Sequence, residues 1–563
     1  MTVRASLTSD LWWKDGVVYC LDVQTFADGN GDGIGDFAGA TAKLDHLVEL
    51  GVNVIWLMPF YPTADADDGY DITDYYAVDP RLGSLGDLVE FVRTAGDRGL
   101  KVIADLVVNH TSAEHPWFLD SRSSRTAAKR DWYVWQDEPV PDPPGAVVFP
   151  DKEHSIWSFD EATEQHYLHR FYRTQPDLNV GNPEVRDEIA RVMGFWMQLG
   201  LAGFRVDAVP FLIETMGIAG GAEELPDPHG YLRDLRAFLG RRRGDAVLLG
   251  EVNLPHQDAR AFFGDEDGDE ITMLFDFPTM QATYLALARG DAGPIRTALQ
   301  GRPQTPSDSQ WASFARNHDE LTLDKLSSAE RAEVFAAFGP QEEMQLYGRG
   351  LRRRLPPMVD GDQRILRMIY SLTLSLPGTP TLFYGEEIGM GENLDIPGRL
   401  AVRTPMQWEP GPMGGFSTAD DPAVLTRPFP TGAFGPDAVN VADQRYDPDS
   451  LLSWMTALIR VYRTCPELGW GTPTVLDHPV AGVLAVRTDW RGGSLITLHD
   501  LAGEAVAVPL VLTGEAPGSR LVDLADPTQQ LKVGKGSAVE VPLEAYGARW
   551  FRLIGAPGGA TGS

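Results

Sequence analysis

The chain has 563 residues, 43% of them hydrophobic, which is more apolar surface than one compact core uses and argues for two or three folded domains rather than disorder. A formal net charge of −32 opposes binding to nucleic acid or an anionic membrane and favours a neutral ligand. Trp, Tyr and Phe reach 10%, which suits sugar-stacking surfaces as well as a core.

Short apolar runs, each an expected strand, recur in order: Val17–Val23, Val52–Pro59, Lys101–His110, Gly203–Val209, Ala246–Val252, Ile271–Phe277, Phe314–Asp319 and Thr379–Gly385. Nearly continuous Val, Ile and Leu is the pattern of parallel strands covered on both faces. Between them Asp36–Leu50, Leu85–Arg98, Pro183–Leu199 and Gly230–Arg243 have the spacing of amphipathic helices. Alternating strand and helix predicts an α/β fold, a closed (β/α)8 TIM barrel. Residues 110–182, rich in aromatics and prolines, are too long for a loop and read as a small domain inserted after strand three. From about Trp470 the pattern turns to Val483–Thr488, Ser494–His499 and Arg549–Leu553 between Gly/Pro turns, as in an all-β sandwich domain. The expected division is barrel 1–109, inserted domain 110–182, barrel remainder 183–469 and C-terminal β domain 470–563.

Cys20 and Cys465 lie far apart without paired spacing and are expected as free buried thiols. Residues 1–10 lack a basic-then-apolar leader pattern, and no apolar run of about 18 residues occurs, so the cytoplasm is the expected location.

Three of the expected strands end in acids: Asp207 after Gly203-Phe204-Arg205-Val206, Glu251 after Leu249-Gly250, and Asp319 after Arg316-Asn317-His318. Catalytic groups of such barrels sit at the C-terminal strand ends. Retaining glycoside hydrolysis needs two carboxyls roughly 5–5.5 Å apart, one a nucleophile and one an acid/base. A single acid at a strand end is more often a cap or turn residue; three at one rim point to this chemistry. Asp28, Asn30 and Asp32, with Ile34 and Asp36, alternate with glycines after strand one, as in an EF-hand-like calcium loop, though a glycine-rich turn with solvated acids fits the same pattern.

Asp105-Leu106-Val107-Val108-Asn109-His110, Gly203–Asp207, Glu251 and Asn317-His318-Asp319 resemble the four signature regions of the α-amylase family, glycoside hydrolase family thirteen. Gln175-Pro176-Asp177-Leu178-Asn179 and Arg403-Thr404-Pro405-Met406-Gln407-Trp408 resemble further motifs of its α-glucosidase-like members. The resemblance implies that Asp207 is the nucleophile, held ionised by Arg205, that Glu251 is the acid/base, and that Asp319 stabilises the transition state. By the same likeness His110 and His318 hydrogen-bond the first glucose, Asp71 and Arg403 close the pocket around its non-reducing end, and Gln175 lies on the wall. It also implies structural Ca2+ in the Asp28–Asp36 loop and at a second site of Asn109, Asp177 and Glu214 with the carbonyls of Phe211 and Leu212. Mg2+ is an alternative at one of the two, and no organic cofactor is implied.

Within the family the resemblance is strongest to members that interconvert maltose and trehalose, with a hydrolytic exo-acting α-glucosidase as the alternative and a transglucosylase as a lesser one. The expected partner is a small neutral sugar, with no nucleic acid and no membrane; a homo-oligomer stays open. Two stretches differ from the family pattern, Val252-Asn253-Leu254-Pro255 and Asp395-Ile396-Pro397-Gly398-Arg399, and both are expected on the acceptor side.

Overall fold

Eight short parallel strands close into a barrel: Val18–Leu21, Val54–Leu57, Lys101–Leu106, Gly203–Val206, Val247–Gly250, Met273–Phe275, Gln310–Phe314 and Thr379–Phe383. The computed structural model describes residues 11–218, 227–266 and 268–556, without the side chains of 214–218. Each strand pairs with the next and the last with the first; Val18 lies opposite Val54 on one side and Thr381 on the other. Every strand residue is buried except Lys101, which is half-buried. Burial on both faces explains why the strands read as continuous apolar runs rather than alternating ones. At the fourth strand the close approach of its neighbour requires glycine: Gly203 has φ +152, and a Cβ there would stand 2.2 Å from the Val247 carbonyl oxygen.

The helices follow local signals. Leu85–Asp97 starts at a capping box of Ser84 with Asp87, and Pro183–Gln198 starts at Asn182 with proline in its first turn. The single helix expected over Asp36–Leu50 is two, Phe37–Ala42 and Leu44–Leu50, because the Lys43 N–H turns back to the Ala40 and Thr41 carbonyls. The seventh strand also differs from expectation. It is Gln310–Phe314 rather than Phe314–Asp319, so Asp319 stands in the loop beyond the strand. The shift arises because Gln310, polar but buried, donates to the Gly469 carbonyl at 3.2 Å, which lets the strand begin on a polar residue.

The inserted segment forms a three-stranded antiparallel sheet with Gln165–Leu168 between Trp135–Gln136 and Trp157–Asp160, over its own apolar cluster of Val134, Ala146, Ile156, Trp157 and Leu168. A second small sheet, unmarked by the sequence, lies between barrel strands seven and eight: Leu321–Thr322, Gln345–Leu346 and Gly350–Leu351. Beyond the barrel a six-stranded antiparallel sheet, including Val483–Trp490, Gly493–Asp500 and Ala548–Ile554, faces the pair Val506–Val511 and Ala538–Leu543. Ile496, Leu498 and Phe551 from one sheet and Val508, Leu510 and Val541 from the other share one core, the expected sandwich. Cys20 and Cys465 are free and buried. Among the described residues no helix is long and apolar enough to cross a membrane.

Candidate active site

Asp207 and Glu251 each stand one residue past the end of adjacent barrel strands, and Arg205 lies between them on the fourth strand. Its guanidinium is 1% exposed, so its charge is satisfied by protein alone. One nitrogen donates to Asp207 Oδ1 at 2.6 Å and to Asp105; the other donates to Glu251 Oε2 at 2.7 Å. The nucleophile and acid/base candidates thus sit on two corners of one planar cation, the close pairing a retaining mechanism needs. Ala208 follows with a left-handed φ of 48, a conformation costing a non-glycine residue roughly 1–2 kcal/mol, and donates its N–H to Glu251 Oε2 at 3.3 Å.

Burial pushes Asp207 up to about 6; Arg205 pulls the other way, and Asp105 and Asp319 add to the rise. Arg205 pulls Asp207 towards the ionised form as expected, but burial first, then Asp105 and Asp319, outweigh it. Burial carries Glu251 further, to about 7, again against Arg205 and with Asp207 and Asp319 adding. Burial raises both members of the pair, Glu251 the more, which is the direction the acid/base assignment requires. Burial would also raise Asp319, but the His318 imidazole and the guanidiniums of Arg399, Arg403 and Arg205 hold it well below the usual carboxylate range. Burial keeps His318 itself neutral, so the arginines carry that charge. It lowers His110 to about 4, leaving a second neutral imidazole at the site.

His318 Nε2 meets the Tyr70 hydroxyl at 2.7 Å and Asp319 Oδ2 at 3.3 Å, its ring stacked on Tyr70 at 5.6 Å. His110 Nε2 approaches the Tyr70 carbonyl at 3.1 Å. Arg403 is buried as expected and donates to Asp319 Oδ1 at 2.9 Å, but its other carboxylate partner is Asp68, at 2.6 Å, not Asp71. Asp71 is turned into its own loop, accepting from Thr63 Oγ1 at 2.6 Å and from the N–H groups of Ala66 and Asp67. A parallel pair stands beside it: Arg399 donates to Asp319 Oδ1 at 2.7 Å and to Asp67 Oδ1 at 2.6 Å. Gln175 donates to Asp67 Oδ2 at 3.0 Å, so it supports this pair from behind. Arg399, from the segment expected on the acceptor side, therefore pairs with Asp319 and Asp67. Asn253 and Leu254 do line the cavity, with Asn253 donating to Asp324 Oδ1 at 3.0 Å.

Asp105, Asp67 and Asp68 are site residues to which the sequence assigns no role. Asp105 opens the first signature motif, and an acid on a strand buried on both faces demands a cation; that signal pointed to it. The cavity over these groups measures about 360 Å3 and is lined by Tyr70, His110, Asp207, Glu251 and Asp319. A second cavity of about 520 Å3 lies alongside; Asp67 and Arg399 line both, so their ion pair is the partition between them.

The Asp28–Asp36 loop runs as a series of side-chain turns. Asp28 accepts from Asn30, Gly31 and Gly33, Asn30 from Asp32, Asp32 from Ile34, and Asp36 from Gly29 and Gly39. Among the described residues no three His, Cys, Asp or Glu side chains converge as a ligand set. The loop's donor set mixes an amide and a carbonyl with carboxylates, each oxygen keeping a further lone pair. At the second expected site Asn109 Nδ2 donates to Asp177 Oδ1 at 3.3 Å, while Asn109 Oδ1 and Asp177 Oδ2 are buried without a hydrogen-bond partner. Phe211 and Leu212 lie in the helix Val209–Ile218; the side chain of Glu214 is outside the described residues.

Comparison with known proteins fits this geometry. Residues 22–334 match the family described as "Alpha amylase, catalytic domain", and residues 492–552 match "Sucrose hydrolase-like, C-terminal domain". The chain belongs to the α-amylase family. It is similar to the trehalose synthase of Thermus thermophilus, 42% identical over 89% of this chain and 52% of that one, so it spans about half that relative's length. It is similar to trehalose synthase/amylase TreS of Mycobacterium tuberculosis, 38% identical over 98% of this chain and 93% of that one. In three dimensions it resembles the trehalulose synthase MutB of Pseudomonas mesoacidophila, with a TM-score of 0.75 at 25% identity, covering 96% of this chain and 99% of that one.

Proposed function

We propose that the chain interconverts maltose and trehalose by moving one glucosyl group within a closed pocket, with hydrolysis as the competing outcome. The observation that carries the reading is the partition: paired ions end the site beside Asp319, so one terminal glucose is handled at a time. The kinship to trehalose synthases points to the disaccharides.

The Asp207 carboxylate adds to the anomeric carbon while the Glu251 proton passes to the departing oxygen, so one C–O bond forms as another breaks. Asp319, held ionised by two arginines, grips the sugar as positive charge develops on the ring. The freed glucose turns and its anomeric hydroxyl attacks the same carbon, returning its proton to Glu251 and releasing Asp207. Water in place of that hydroxyl gives two glucoses, the α-glucosidase outcome, favoured by the amylase half of the mycobacterial relative's name. Pure protein incubated with maltose, then with trehalose, tests this by chromatography: each disaccharide should yield mainly the other with minor glucose. Glucose alone from maltose at every temperature overturns the isomerase reading for the hydrolase, and efficient capture of external labelled glucose favours a transglucosylase.

We also propose that Ca2+ binds in the Asp28–Asp36 loop and at Asn109 with Asp177, Mg2+ remaining an alternative at one of them. The two bare buried oxygens of Asn109 and Asp177 support the second site, since an unpartnered buried acceptor is costly and a cation would satisfy both. Bound there, the ion would brace the inserted domain on the barrel and take no chemical step.

A further inference from the structure

The wall of the cavity opposite the barrel comes from the inserted domain, through Val147, Val148 and Phe149. Among the described residues, the hydrogen bonds of 142–153 otherwise stay within that domain, as in Ser155 to Asp142 and Arg173 to Glu153. Among the described residues one side chain from outside the domain hydrogen-bonds to this segment. Arg349 leaves the small sheet between barrel strands seven and eight just after Tyr347, whose φ of 56 makes a tight turn. Its Nη1 donates to the Val148 carbonyl at 2.8 Å and its Nη2 to Glu320 Oε1 at 3.3 Å. Glu320 is 8% exposed and the Arg349 side chain 25%, so this contact is partly shielded from solvent screening. The residue after Val148 is then seated. Phe149 stacks on Tyr172 at 4.5 Å, tilts against Tyr347 at 5.1 Å and lies under the Arg399 guanidinium at 5.1 Å.

We propose that Arg349 is a positioning residue that clasps the inserted domain onto the barrel over the cavity, and that this clasp sets how much cleaved glucose is retained. The inference about retention rests on the isomerase reading. Both outcomes share the glucosyl-enzyme and differ only in whether glucose turns before water arrives. A wall hung on one backbone carbonyl and one seated ring opens when its donor is removed. Arg349 lines the cavity beside that segment but, among the described residues, hydrogen-bonds to Val148 and Glu320 and not to Asp207, Glu251 or Asp319, so its hold on the reacting groups runs through the segment.

The test compares the full chain with Arg349→Ala and Arg349→Lys. In Arg349→Ala, amide hydrogen exchange over 145–153 should quicken at least tenfold and the glucose share of products from maltose should rise severalfold. Arg349→Lys keeps one donor and should restore part of both. A merely structural role would lower the Tm and the total rate together and leave the product partition unchanged; that result overturns the proposal. Unchanged exchange overturns the clasp itself, whatever the reaction. A wild-type chain giving only glucose refutes the isomerase reading, while the exchange measurement still decides the clasp.

Discussion

At Arg205 one guanidinium serves Asp105, Asp207 and Glu251, so the protonation of each depends on the others. Asp207→Asn keeps the shape but removes the negative nucleophile, and turnover should fall by several orders of magnitude with the Tm little changed; a variant keeping about a tenth of the activity would rule Asp207 out. The pair should also shape the pH dependence. Activity needs Asp207 ionised and Glu251 protonated, so kcat/KM should fall as pH drops through about 6 and again as it rises through about 7. A rate flat across both limbs would refute the pairing. Asp207 and Glu251 were legible because a strand end fixes where the next side chain points. Asp71 was misread for the opposite reason: in Asp68-Gly69-Tyr70-Asp71 a turn with Asp65 and Asp68 at positive φ decides which acid faces inward, and linear spacing does not encode that.

The elements were legible where burial and period agree. Barrel strands buried on both faces announce themselves as apolar runs, and capped helices such as Leu85–Asp97 and Pro183–Gln198 carry their own start signals. The seventh strand slid because its first residue is polar, and the sheet holding Arg349 was invisible because strands of two residues have no period to read. The proposed metal loop belongs to this scale. An ion bound only by the folded chain stabilises it by mass action. Excess chelator should therefore lower the Tm and leave the product ratio at lower temperature nearly unaltered. An unchanged Tm after long incubation, matched by an unchanged Tm in Asp32→Ala, would remove the ion from the Asp28–Asp36 loop.

Over the whole molecule, the surplus of acid read from composition extends into the interior, where buried carboxylates outnumber buried cations among the described residues. Arg205, Arg316, Arg354 and Arg403 are among the largest fully buried side chains; Arg205 and Arg403 meet the carboxylates at the rim, while Arg316 and Arg354 hold backbone carbonyls there. Three units meet at that rim: barrel strands supply the acids, the inserted domain a wall, and the segment after strand eight supplies Arg399 and Arg403. The joint between the two cavities has a consequence for substrate choice. Because the Asp67–Arg399 pair stands between the two cavities, the proposed reading has the disaccharide seated by its terminal ring, as an object is measured by a depth stop. On the proposed reading even a methyl group on the seated end of the sugar would strike an ion pair, so the site would recognise where its substrate begins.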